Sequence, residues 1–99
     1  MVVVILRFQV RHGFEDDVAA MVAPAHALAQ ATKGFAGFRR YAADDGEEIM
    51  LLDFESHEAL AAWRDHPDNT ATQGSGRDRI FRSYRIQVCD VMRTYEFAG

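Results

Sequence analysis

Apolar and polar positions alternate from Val2 to Arg11. Val4, Leu6, Phe8 and Val10 form an uninterrupted apolar face, while Val3, Ile5, Arg7, Gln9 and Arg11 grade from apolar to charged on the other. A period of two marks a strand, because successive side chains of extended backbone point to opposite sides of a sheet. One face of this strand is expected to press on the core and the other to stay half wet. Past a turn at Gly13 the period changes. Val18, Met21, Val22, Ala25, Leu28 and Ala29 recur every three or four residues, which predicts a helix with one core-facing stripe. Glu15, Asp16 and Asp17 put negative charge in its first turn, where the helix dipole favours it. Pro24 lies inside the stripe and is expected to kink the helix, since it lacks an N–H and its ring crowds the turn before it. Lys33-Gly34 reads as the close of the helix, a positive side chain followed by a glycine C-cap.

Two further strands are predicted, Phe35 to Ala43 and Glu47 to Phe54, joined by Asp44-Asp45-Gly46, where glycine accepts the positive φ a tight hairpin needs. On the second of them Met50, Leu52 and Phe54 share one face, and Ile49, Leu51 and Asp53 the other. A second helix follows. Ser56 is a good N-cap, Glu58 lies in the first turn, and Ala59, Leu60 and Trp63 fall on one side. Pro67 ends or sharply bends this helix, so His66 sits at a corner and caps what comes next. Gly74-Ser75-Gly76 loosens the chain before Arg77. The last element is expected to run from Tyr84 to Phe97, with Ile86, Val88 and Met92 on one face and Cys89, Val91, Tyr95 and Phe97 on the other. That is longer than a usual strand of about 5–6 residues.

The element order β-α-β-β-α-β predicts an α+β fold of the ferredoxin-like kind, with both helices on one side of an antiparallel sheet. The other side is then left bare. Val3, Ile5, Ile49 and Leu51 would expose an apolar patch there, and a second copy packed sheet to sheet is the simplest cover. The long final strand could reach across and complete the partner's sheet, leaving a cavity between sheet and helices in each subunit.

Composition narrows the choice of partners. At 99 residues, with 48% hydrophobic and 26% charged content, residues 1–99 are expected to form a single domain. A net charge of −4 without a basic run gives no electrostatic footprint for nucleic acid, and no basic amphipathic stretch suits a membrane surface. MVVVILRF is too short for a membrane span and lacks the basic start of a signal peptide, which makes a cytoplasmic location the expectation. Cys89, the single cysteine, is expected to be buried and inert. His12, His26, His57 and His66 lack metal-ligand spacing, and no G-x-G-x-x-G is present, so no metal and no cofactor are expected.

The strongest chemical candidate is the pair Trp63 and His66, three residues apart at the joint between helices: a flat apolar ring beside a titratable imidazole. Trp63 also reads as ordinary core packing, His66 as a structural cap, and Arg7 as one half of an ion pair with Asp53 or with a partner carboxylate. His12, His26 and His57 are expected to face solvent. Arg77, Arg79, Arg82 and Arg85 read as a solvated junction, with Arg77 or Arg85 able to line a cavity mouth.

The segments GFAGFRRYAADDGEE, ESHEALAAWRDHP and YRIQVCDVMRTYEF together resemble the antibiotic biosynthesis monooxygenase family of dimeric α/β-barrel proteins. The resemblance runs along nearly the whole chain. It rests on the aromatic-glycine strand start from Phe35 to Phe38, the block from Glu55 to Trp63 and the corner from Trp63 to Pro67. It implies cofactor-independent oxygenation of aromatic phenols in some members, haem breakdown in others, and quinone or other small-molecule chemistry in more. Haem-degrading members carry an asparagine on the first strand, a tryptophan late in the second helix and an iron-ligating histidine about ten residues on. Trp63 matches, but Arg7 and Gln73 stand at the other two positions, and haem turnover is not expected. The oxygenase reading needs an apolar slot, a base and a group to hold an oxyanion. Trp63 would wall the slot, His66 act as base, Arg7 supply charge, and Asn69 and Gln73, one turn apart, donate hydrogen bonds. A non-catalytic dimeric module that uses the same cavity, binding a small molecule or acting in a stress response, is the alternative.

Overall fold

The computed structural model describes residues 1–69 and 77–99. Gln73 and the expected loosening at Gly74-Ser75-Gly76 lie outside the described residues. The elements are β1 (Val2–Val10), α1 (Glu15–Gln30), β2 (Phe35–Ala42), β3 (Glu48–Phe54), α2 (His57–Arg64), α3 (Arg77–Ile80) and β4 (Phe81–Asp90). The four strands make one antiparallel sheet in the order β2-β3-β1-β4, with the helices on one side: an α+β, ferredoxin-like fold. No helix among the described residues is long and apolar enough to cross a membrane.

Register carries the alternation of one strand into the next. Val4 lies opposite Leu52 on one side and Val88 on the other, and Leu6 lies opposite Met50 and Ile86. Paired residues share a face, so Val2, Val4, Leu6 and Phe8 look toward the helices with Met50, Leu52 and Phe54, while Val3, Ile5 and Arg7 look away with Ile49, Leu51 and Asp53. The core forms on the helix side. Val2, Phe8, Phe54, Val18 and Ala29 are sealed there, and Trp63 meets Phe54 at 5.6 Å between ring centroids. The far side has no covering element from the described residues, and Val3, Ile5, Ile49 and Leu51 on it are half-buried by their neighbours.

Helix ends follow local chemistry. At α2 the Ser56 hydroxyl accepts from the Ala59 N–H at 3.1 Å, the cap expected from sequence. The hairpin also forms as expected, with Gly46 at φ +93° and the Asp45 carboxylate accepting from the Glu47 N–H at 2.9 Å. α1 runs unbroken through Pro24, its interior stripe still packed on the core. It closes earlier than the glycine suggested. The C-cap is Ala31, and the Thr32 hydroxyl donates to the Leu28 carbonyl at 2.8 Å. Gly34 serves the next joint instead: at φ +91° its carbonyl accepts the Glu55 N–H at 2.7 Å, and a Cβ there would lie 2.7 Å from the Ala59 Cβ. A larger residue would push α2 off the sheet.

The last strand departs from expectation at both ends. It begins at Phe81 and stops at Asp90, not Phe97. Its last pair is Asp90 with Val2, the first residue of β1, and the Val91 N–H donates to the Met1 carbonyl at 3.1 Å. Met92, Tyr95 and Phe97, beyond the last paired residue, are almost wholly exposed although the alternating pattern continues.

Candidate functional site

α1 and α2 do not close over the whole helix side of the sheet. A cavity of about 200 Å³ opens between them and the strands, floored by Val4, Leu6, Leu52 and Met50 and bounded at its margin by Ile86 and Val88. From α1 it receives Met21, Val22, Ala25 and His26, which the helical period sets on one side. α2 contributes Leu60, Trp63 and Arg64. The wall is overwhelmingly apolar, and no carboxylate lines it among the described residues.

Trp63 is the best-anchored piece of that wall. Its indole Nε1–H donates to the Ala25 carbonyl at 2.9 Å, tying α2 to α1 across the cavity and fixing the ring plane. Asn69 anchors it from behind. This side chain is buried, and its amide donates to the Trp63 carbonyl at 2.9 Å while its own backbone N–H donates to the His66 carbonyl at 3.0 Å. Asn69 thus closes the end of α2 and is not among the residues lining the cavity; it borders a separate depression with Pro24 and Leu28.

His66 sits at the corner expected of it. Its Nδ1 accepts the Asp68 backbone N–H at 3.1 Å, and its own backbone N–H reaches the Trp63 carbonyl at 3.3 Å. The ring is half-exposed and is not part of the cavity wall, because capping aims Nδ1 along the chain rather than inward. Arg7 is farther still from the slot. As an odd-numbered residue of β1 it points to the uncovered face, where Nη2 lies 2.9 Å from Glu47 Oε1; the carboxylate partner is Glu47 and not Asp53. Of the expected constellation the structure brings only Trp63 to the cavity, separates His66, Asn69 and Arg7 from it, and leaves Gln73 outside the described residues.

Other polar groups stand where those were expected. Arg64 lies on the rim but is held sideways by Asp65, Nε to Oδ1 at 3.0 Å and Nη2 to Oδ2 at 3.3 Å, and this hydrogen bond keeps the Asp65 carboxyl below the ordinary carboxylate range. Arg77 lines the cavity with its guanidinium 5.0 Å from the centre of the Tyr84 ring, while Arg85 lies opposite Arg7 on the uncovered face. His26 corrects a sequence expectation. It is half-buried, not solvent-facing, with its ring stacked on Phe38 at 4.3 Å between centroids and edge-on to Phe35 at 6.2 Å. One signal pointed to it: His26 falls four residues after Val22, inside the core stripe. His12 and His57 are exposed, and Cys89 is half-buried on the uncovered side. Among the described residues no three of His, Cys, Asp and Glu converge on a metal-sized site.

Residues 1–75 match the family model described as antibiotic biosynthesis monooxygenase. Over 81 residues the chain is 30% identical to the uncharacterized protein YqjZ of Bacillus subtilis (strain 168), an alignment spanning 82% of this chain and 68% of that one. Among solved structures, Rv0793 from Mycobacterium tuberculosis is similar with a TM-score of 0.82 at 21% identity, over 96% of this chain and 98% of its own. SnoaB of Streptomyces nogalater, described as a cofactor-independent oxygenase, is similar with a TM-score of 0.78 at 17% identity, over 94% of each chain. At such identities the structural likeness speaks to the fold.

Proposed function

The chain belongs to the antibiotic biosynthesis monooxygenase family, and on that premise we propose that it is a cofactor-independent monooxygenase acting on a small phenol or hydroquinone. The observation that carries the reading is the apolar cavity walled by Trp63, with apolar side chains on nearly every side. An electron-rich aromatic ring can itself reduce oxygen once its hydroxyl proton is drawn away, so the protein has to supply shape, desolvation and a proton acceptor. In the balanced reaction one atom of O2 enters at a ring carbon that carries hydrogen: opposite the hydroxyl of a phenol, giving a quinone, or beside a hydroxyl of a hydroquinone, giving a hydroxyquinone. Two hydrogens of the substrate leave with the other atom as water.

Residues around the cavity divide the work. Trp63 forms a flat wall for the ring. His66 and Asn69 hold the corner behind Trp63 and so position it, which gives them an indirect part in place of direct contact. Oxygen-electrode measurements over a panel of hydroquinones and anthrones test the reading. At least one member is expected to consume oxygen above background, more slowly with Trp63→Phe. Failure of the whole panel overturns it in favour of a binding module.

The proposal includes a second copy of the chain. Two sheets would pack through Val3, Ile5, Ile49 and Leu51, with Arg7 and Glu47 beside the contact, and residues 91–99 would extend the partner's sheet. Support comes from the apolar face left uncovered by the described residues and from Met92, Tyr95 and Phe97, which keep a strand's alternation past Asp90, the last residue paired with β1. Light scattering at micromolar concentration is expected to give twice the chain mass; a monomer overturns the dimer.

A further inference from the structure

Polar atoms able to meet a ligand inside the cavity are scarce. The Trp63 N–H is occupied by the Ala25 carbonyl, and the Arg64 guanidinium is turned aside by Asp65. Arg77 and Tyr84 face one another near the β4 margin. His26 is less exposed than Arg64 or Tyr84 and faces aromatic rings in place of a charged side chain. Its ring is clamped by Phe38 and Phe35, which fixes its plane, and its nitrogens have no hydrogen-bond partner among the described residues. Stacking engages the faces of an imidazole and leaves its edge, where both nitrogens lie, open to a neighbour.

Volume limits what that neighbour can be. A cavity near 200 Å³ is a little larger than the ~150 Å³ void that admits benzene. It falls short of the ~300–1,000 Å³ usual for drug-sized ligands. One or two fused rings fit; a larger polycycle would have to protrude. With no carboxylate on the described wall, nothing there repels an acidic or electron-rich ring oxygen.

We infer that His26 is the recognition group of this cavity, hydrogen-bonding the hydroxyl of a phenol of one or two rings. A neutral imidazole accepts the O–H of a phenol, and an imidazolium donates to a phenolate, so one contact serves both protonation states of the pair. The inference rests on the cavity being the ligand site of the proposed oxygenase. It does not depend on turnover.

Calorimetry on the full chain with 1-naphthol, its methyl ether 1-methoxynaphthalene and the four-ring 1-hydroxypyrene tests it. The single tryptophan gives one indole N–H resonance, which reports by NMR whether a probe sits against Trp63. Naphthol is expected to shift that resonance and to bind about fivefold tighter than the ether, the worth of one net hydrogen bond. His26→Phe, which preserves stacking on Phe38, is expected to erase the preference, and His26→Gln to keep part of it. Equal affinity of the two naphthalenes for the unaltered protein overturns the inference even if no variant folds. So does an absence of naphthol binding, a preference that survives in folded His26→Phe, or pyrenol binding as tightly as naphthol. Adding 1,4-naphthohydroquinone to the oxygen-electrode panel separates the two claims: no uptake above background by any member, beside a His26-dependent naphthol preference, upholds the role of His26 and removes only the oxygenase reading.

Discussion

β3 and β4 flank the same central strand, and both turn alternate apolar side chains to the helix side of the sheet, yet they end in opposite surroundings. Met50, Leu52 and Phe54 on β3 are 4%, 5% and 0% exposed, whereas Ile86 and Val88 on β4 are 46% and 48% exposed. Side-chain type and strand geometry hardly differ. What differs is the reach of the cover, since α1 and α2 pack over the β2–β3 half of the sheet. Alternation decides which way a side chain points, and a second element decides whether anything meets it there. The cavity lies along the boundary between the two regimes, where a floor is present and the roof gives out.

The sharpest way to break this comparison is to truncate matched positions on the two strands. Phe54→Ala is expected to lower stability by ~3–5 kcal/mol, as deletion of a sealed aromatic does, while Ile86→Ala should stay below about 1 kcal/mol in the manner of a partly exposed site. Urea unfolding of both reads this directly. If Ile86→Ala proves as costly as Phe54→Ala, something covers β4 in solution, and a dependence of that cost on protein concentration would identify a second copy.

A smaller effect probes how the cover reaches β3. Gly34 combines a positive φ with close approach to Ala59, so Gly34→Ala is expected to cost about 2 kcal/mol through strain and overpacking. Because the displaced element is α2, the Trp63 signal in near-ultraviolet circular dichroism should weaken with it. An unchanged melting temperature would mean that α2 sits on the sheet without needing that close contact.

Ser56→Ala gives the smallest change, about 1 kcal/mol, from loss of the hydrogen bond to the Ala59 N–H. Thermal unfolding measures it. The loss should appear on the covered half alone, leaving amide exchange along β4 as it was; faster exchange in both strands would show that β3 and β4 share their stabilisation.

Much of this molecule is legible in the sequence, and the reason is that its signals are local. Period two in Val2 to Val10, period three to four in Val18 to Ala29, the Asp44-Asp45-Gly46 turn and the Ser56 cap each describe the orientation of residues about their own element's axis. Their order then admits few sheet topologies, and the ferredoxin-like one is present. Trp63 was legible as well, because a large ring on the interior stripe of a helix must face whatever that helix covers.

The rest depended on which elements meet. Arg7, set on the face away from the core by alternation alone, looked available for an anion until the fold brought Glu47 beside it. His66 looked like a base until the corner took its Nδ1 for the Asp68 N–H. His26 looked wet, and became part of the cavity once Phe38 of β2 came beneath it. Tyr95 and Phe97 keep a strand's pattern past Asp90, the last residue paired with β1. Sequence by itself determined the four strands, α1 and α2, their order and the face each side chain takes, because those follow from neighbours a few residues away, but it did not show the short α3; the tertiary structure alone decided where the sheet ends and which polar group enters the cavity, because both depend on groups brought together from distant parts of the chain.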